Sequence, residues 1–166
     1  MNDLKHKFLL DETVTFLNHG SYGACPVPIF EDYQTWQKKL EQQPVKFLKT
    51  DIWNALRNSR LSLSEFVGCN EDEILFFHNP TSAIANVINS LQLNEGDEVL
   101  MTDHEYGALV RQWNLWGEKN KVNIIQQKIP VPVTSKNEFA EKFWRGVTKK
   151  TKVIFISQIT SPTAII

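Results

Sequence analysis

Two polar runs, each following an apolar segment, carry the residues of this chain best suited to chemistry. His78, Asn79, Pro80, Thr81 and Ser82 follow the run Ile74, Leu75, Phe76, Phe77. Asp103, His104, Glu105, Tyr106 and Gly107 follow the run starting at Glu98 and Val99. Both open a helical pattern. The first turn of a helix leaves N–H groups unpaired and carries a partial positive charge, so Thr81 and Ser82 stand where a phosphate can be held. His104 and Tyr106 add two flat rings just past the end of the next strand. A phosphate cradle beside an aromatic platform suits a phosphorylated, flat, ring-shaped cofactor, and pyridoxal 5'-phosphate answers that description. A third polar run, residues 157–163, follows the last apolar segment.

Each cluster also has an ordinary reading. Thr81 or Ser82 can serve simply as a helix cap. His104 can be a surface histidine and Tyr106 a cover for the first helical turn. Ser157, Thr160, Ser161 and Thr163 can be turn residues around Pro162. What points to a site is their coincidence on successive strands, because ligands of open α/β sheets collect at the carboxyl ends of the strands.

Competing chemistries find less support. The chain has no GxGxxG, GxxxxGK[ST] or GxSxG pattern. His6, His19, His78 and His104 lack metal-ligand spacing, and Cys25 and Cys69 form no CxxC, so no metal site is expected. A net charge of −1 argues against nucleic acid or an anionic membrane as partner, since both select for clustered positive charge. No apolar run approaches membrane-spanning length, and the first residues lack the apolar core of a signal peptide. A cytoplasmic protein is expected.

The elements that must position these clusters follow from apolar periodicity. After an irregular arm (8–27), Ile29, Tyr33, Trp36 and Leu40 predict a helix from Pro28. Leu48, Ile52, Leu56, Leu63 and Phe66 predict a second over about 46–67, with Gly68 as its C-cap. Strand and helix then alternate. Strands are expected at 74–77, 98–101, within 122–129 and at 152–157. The helices between them are marked by Ile84, Val87, Ile88 and Leu91, by Leu109, Val110, Trp113 and Trp116, and by Phe139, Phe143, Trp144 and Val147. Unbroken apolar strands joined by helices predict an α/β fold, a parallel sheet covered on both faces. Residues 1–70 are expected to form an N-terminal arm with helices, and 71–166 the first part of a large α/β domain.

The segments FLNHGSYGACP, NEDEILFFHNPTSAIANVINSLQLNEGDEVLMTDHEYGA and KVIFISQITSPTA, in this order, resemble the class V aminotransferase family of fold-type I pyridoxal-phosphate enzymes. Within it the chain is most similar to the isopenicillin-N epimerase-like branch. The resemblance runs from about Phe16 to the last residue. It implies the three-layer, mostly parallel large domain of that fold, here incomplete. It implies that Thr81 and Ser82 hold the cofactor phosphate, that His104 stacks on the pyridine ring and that Ser161 lies beside the ring. It also implies that Asn18, His19 and Gly20 belong to an arm closing over a small amino-acid substrate. Where the family reads SHIT, this chain has Ser157, Gln158, Ile159 and Thr160, and a glutamine cannot titrate.

The resemblance further implies an aspartate for the pyridinium nitrogen, a Schiff-base lysine and a carboxylate-binding arginine, all beyond the segment matching SPTAII. No catalytic residue is therefore expected within these 166 residues, and the chain is expected to be a truncated N-terminal fragment. Lys149, Lys150 and Lys152 precede a strand, at the sheet edge away from the site. The expected function is that of a pyridoxal-phosphate enzyme acting on an amino acid or related amine, homodimeric at full length. The alternative is a non-catalytic remnant that binds a phosphate ligand or a partner chain.

Overall fold

In the computed structural model, which describes residues 4–166, the four consecutive residues 99–102 are completely shielded from solvent and mark the middle of a sheet. The chain divides into two compact units, Met1–Leu75 and Phe76–Ile166, and the sheet belongs to the second.

In the first unit, Phe8 pairs with Pro26 in an isolated antiparallel bridge, and helix α1 (Val27–Gln42) follows. Pro26 is extended and Pro28 lies in the first turn, where a missing N–H costs nothing. A short helix α2 (Pro44–Lys46) passes through a wider π-helical turn (Phe47–Asp51) into α3 (Ile52–Val67), so the second expected helix begins two residues early. Gly68 ends it at φ 75°, its N–H bonded to the Ser64 carbonyl at 2.8 Å, a left-handed position that glycine takes without strain. The apolar stripe of α1 is real as a helix face but stays open: Ile29, Tyr33 and Trp36 remain exposed.

The second unit begins with a correction. The expected strand at 74–77 does not form, and Leu75, Phe76 and Phe77 are exposed. A strand exists only through a ladder, and among the described residues no neighbour offers one to this segment. The apolar run was a sound signal for an extended segment but carried no information about a pairing partner.

Helix α4 (Pro80–Ser90) leads through residues 91–97 into β1 (Glu98–Thr102). Then come α5 (Gly107–Asn120), β2 (Asn123–Gln127), α6 (Lys136–Trp144) and β3 (Thr151–Phe155). The three strands are all parallel in the order β2-β1-β3, with Leu100 opposite Ile125 on one side and Ile154 on the other. Val99 and Met101 face a core with Ile88 of α4, Trp113 of α5 and Val122; Leu100 faces the other way onto Ile129 and Phe143 of α6. Only β1 is buried on both faces. β3 alternates, with Ile154 and then Ile156 exposed, because the α6 side of the sheet covers β1 and β2 but not this edge.

Two glycines, one in α5 and one in the turn after α6, allow close approach to the strands. A Cβ on Gly117 would stand 2.8 Å from Ile124 Cγ1 and from the Val122 carbonyl. One on Gly146 would stand 2.7 Å from Leu100 Cδ1.

Candidate functional site

The chain leaves β1 to one side through α5 and returns past it through α6 to place β3 on the other. The strand order therefore reverses between β1 and β3, the kind of switch point at whose carboxyl end α/β proteins bind ligands. Everything polar that follows β1 converges there. Asp103 receives the Ile129 N–H at 2.9 Å and donates its own N–H to the Gln127 carbonyl at 3.1 Å, which ties the end of β1 to the end of β2.

His104 is only 8% exposed. Its Nε2 lies 2.6 Å from the Ile129 carbonyl, which can only accept, so Nε2 carries a proton, and Nδ1 lies 3.0 Å from the Thr163 hydroxyl. The hydrogen bonds continue from Thr163 into the loop. The hydroxyls of Thr160 and Thr163 lie 2.9 Å apart in a hydrogen bond, and Thr160 Oγ1 receives the Ile165 N–H at 2.8 Å. The segment after β3 is thus folded around the histidine, and Thr160 is buried with it.

Glu105, also buried, is the residue that sequence reasoning missed. Its Oε1 accepts the Thr102 hydroxyl at 2.7 Å and the Ser157 N–H at 3.3 Å; its Oε2 accepts the Ser157 hydroxyl at 2.6 Å. Three donors on two oxygens match a carboxylate, which only accepts. The available signal was a charged residue between two rings directly after an apolar strand, since a carboxylate is buried only when paired.

Tyr106 is the N-cap of α5 and is 49% exposed. Of the two rings after β1, it is the accessible one.

At the head of α4, Asn79 is the true cap: its Oδ1 accepts the Ser82 N–H at 2.8 Å. Pro80 has no N–H, and the Ala83 N–H bonds the Asn79 carbonyl at 3.2 Å. Among the described residues nothing engages the Thr81 N–H or hydroxyl, and both Thr81 and Ser82 are half-buried. α4 packs on α5 and is joined to β1 through residues 91–97.

The remaining expected residues are placed as follows. Ser161 is exposed in the turn after β3. Asn18, His19 and Gly20 belong to the first compact unit. There the Asn18 carbonyl accepts the N–H groups of Ser21 and Tyr22, and His19 packs edge-on to Phe16 at 4.6 Å between ring centres. Lys149, Lys150 and Lys152 stand at the start of β3, where the Lys150 carbonyl accepts the Glu98 N–H, the end of the sheet away from Glu105. A cavity of about 430 Å³ opens beside the loop after β3. It is lined by Phe139, Ile156, Ser157, Thr160 and Ile165, with Lys136 at its wall. Thr81 and Tyr106 do not line it. No group of three metal-ligating side chains occurs among the described residues.

The model of the aminotransferase class-V family matches residues 29–166. The chain belongs to the class V aminotransferase family. Among curated relatives of this class V chain, the isopenicillin N epimerase of Amycolatopsis lactamdurans is 29% identical over 160 residues, covering 95% of this chain and 40% of the relative. An L-cysteine desulfhydrase of Arabidopsis thaliana is 26% identical over 175 residues, covering 96% of this chain and 38% of the relative. The fold matches a solved C-DES variant with glycine covalently linked to its PLP cofactor, at a TM-score of 0.83 and 19% identity, over 94% of this chain and 41% of that one. A cysteine desulfurase from Thermococcus onnurineus NA1 matches at a TM-score of 0.71 and 17% identity, over 95% of this chain and 40% of that one. The class V chain thus spans about 40% of the length of these relatives and carries part of their α/β domain. No helix among the described residues is long and apolar enough to cross a membrane.

Proposed function

We propose that this chain supplies the phosphate-binding turn and the ring platform of a pyridoxal-phosphate enzyme acting on an amino acid or a related amine. Epimerisation and cysteine desulfhydration are the outcomes named for its relatives. The observation that carries the reading is the pairing of an unengaged Thr81 at the head of α4 with an accessible Tyr106 at the head of α5. Tyr106 follows the carboxyl end of β1, the strand buried on both faces, and α4 packs on the helix that Tyr106 opens.

The donor set fits the cofactor's phosphate. Thr81 offers an N–H and a hydroxyl without protein partners, and Ser82 offers a hydroxyl and an N–H held only by a side chain that can turn away. Tyr106 offers a ring face. In this reading the stacking role that the resemblance gives His104 stands, because hydrogen bonds at both ring nitrogens lie in the ring plane and fix its orientation, and Tyr106 adds a second, accessible ring beside it. His104 also ties down the loop after β3 through Thr163, and Ser161 is carried by that same loop. Bound pyridoxal phosphate supplies an electron sink for negative charge at the carbon bearing the substrate amine. The chain's own residues anchor the phosphate at Thr81 and Ser82, limit the tilt of the ring at Tyr106 and keep the β1 and β3 loops from moving apart. The role of Asn18, His19 and Gly20 toward substrate, and a homodimeric assembly, belong to the same proposal.

Tyr106→Ala and Tyr106→Phe test the platform. Titration with pyridoxal phosphate, followed by absorbance, is expected to show weakened affinity in the alanine variant and near-native affinity in the phenylalanine variant. Equal affinity in all three proteins refutes the platform. Borohydride reduction with peptide mapping tests the covalent anchor. The expected result is no modified lysine, and a single adduct, with Lys136 at the cavity wall as the first place to look, overturns the claim that this chain lacks that lysine.

A further inference from the structure

The ladder between β1 and β3 ends at Met101 opposite Phe155. Two residues further on, the Ser157 N–H bonds not to backbone but to a side chain, Glu105 Oε1, and the Ser157 hydroxyl bonds to the other carboxylate oxygen at 2.6 Å. Glu105 also takes the hydroxyl of Thr102, whose oxygen in turn receives the His104 N–H at 3.2 Å. A single buried carboxylate therefore carries the contact between the two strands past the point where main-chain pairing stops, and it does so from the residue directly before Tyr106.

We propose that Glu105 is a positioning residue for the cofactor site: its carboxylate closes the β1–β3 switch point and thereby fixes the backbone that presents Tyr106. The inference rests on the cofactor reading above. The physical reason is specific to a carboxylate. The three donors that meet there come from the last residue of β1 and from the loop after β3, and a carboxylate, with two oxygens, satisfies them all while donating nothing. Removing it leaves two hydroxyls and one amide N–H inside the fold without partners, and the loop after β3 then swings to find water. A glutamine keeps one acceptor for Thr102 and the Ser157 N–H. Its amide can donate to the Ser157 oxygen, whose own proton rotates away, so the geometry survives although the charge is lost.

The test compares Glu105→Ala and Glu105→Gln by two readouts, hydrogen exchange at the Ser157 amide and affinity for pyridoxal phosphate by absorbance. In the alanine variant, exchange at Ser157 is expected to rise at least about tenfold and affinity to fall by about tenfold; the glutamine variant is expected to stay within about threefold of the parent on both. Unchanged protection at Ser157 in Glu105→Ala overturns the clamp. Lost protection with unchanged affinity overturns its role toward the cofactor. If Glu105→Ala does not fold, Ser157→Ala decides, since it removes one donor from the loop side and leaves the carboxylate in place. Native exchange at residues 158–160 and native affinity in that variant also overturn the proposal. A parent protein with no affinity for pyridoxal phosphate refutes the proposed function and the cofactor half of this inference together, while the exchange measurement still decides whether the clamp exists.

Discussion

Asn79 competes with the ligand that the head of α4 is proposed to hold, and this makes it the most informative position to change. Its side chain occupies the Ser82 N–H at 2.8 Å, and Pro80 contributes no N–H. A phosphate that reaches the Ser82 N–H has to displace the Asn79 side chain first. Asn79→Ala removes the cap and is expected to cost about 1 kcal/mol, a fall in melting temperature of about 2–4 °C for a chain of this size. The same change frees the N–H, so the affinity for pyridoxal phosphate is expected to tighten by up to about fivefold, which is what about 1 kcal/mol converts to. Asn79→Asp separates the two effects. It keeps an acceptor for the Ser82 N–H, and hence the stability, but puts a negative charge beside the phosphate and is expected to weaken binding. Thermal melts by circular dichroism and absorbance titrations measure both quantities. If affinity is the same in the parent, Asn79→Ala and Asn79→Asp while stability falls in the alanine variant, the head of α4 is a capped helix end and no phosphate site.

Two further changes probe the scaffold. Leu100→Ala empties a fully buried position between β1 and α6, and chemical denaturation is expected to show a loss of about 2–5 kcal/mol. Gly117→Ala places a methyl 2.8 Å from the Val122 carbonyl, which cannot rotate away, and is expected to cost about 1–3 kcal/mol; a native midpoint would mean that α5 slides on β2 with little resistance.

How much of this was legible depended on whether a feature was local. The start of α1 near Pro26 and Pro28, the stop at Gly68 and the helices at Ile84–Ile88 and Leu109–Trp116 rest on periodicity and caps, which are written within a few residues. The class V resemblance, carried by motifs spread from Phe16 to the last residue, was equally legible and is the family the chain belongs to. The strand expected at 74–77 was not secure, because an apolar run promises a partner without naming one. Likewise Ile154 and Ile156 looked like residues of a doubly covered strand, yet coverage is a property of what packs beside them. At the site, the polar clusters after each strand were visible, but their division of labour was not. Nothing in His104-Glu105-Tyr106 says that the first two side chains turn inward to Thr163 and Ser157 while the third stays accessible; those partners lie more than 50 residues away.

The strand order has a consequence for how the chain is made. β1 is the strand that needs neighbours on both sides, yet the second of them, β3, emerges from the ribosome roughly 50 residues later. At about 5–20 residues per second, that leaves about 3–10 s during which one edge of the most buried strand has its amides and carbonyls unpaired. α5 and β2 can fold against β1 in that time, since they follow it directly, but the edge that β3 will occupy stays open. A nascent chain stalled between residues 120 and 150 is therefore the species most exposed to pairing with another chain, and the one a chaperone has most reason to hold.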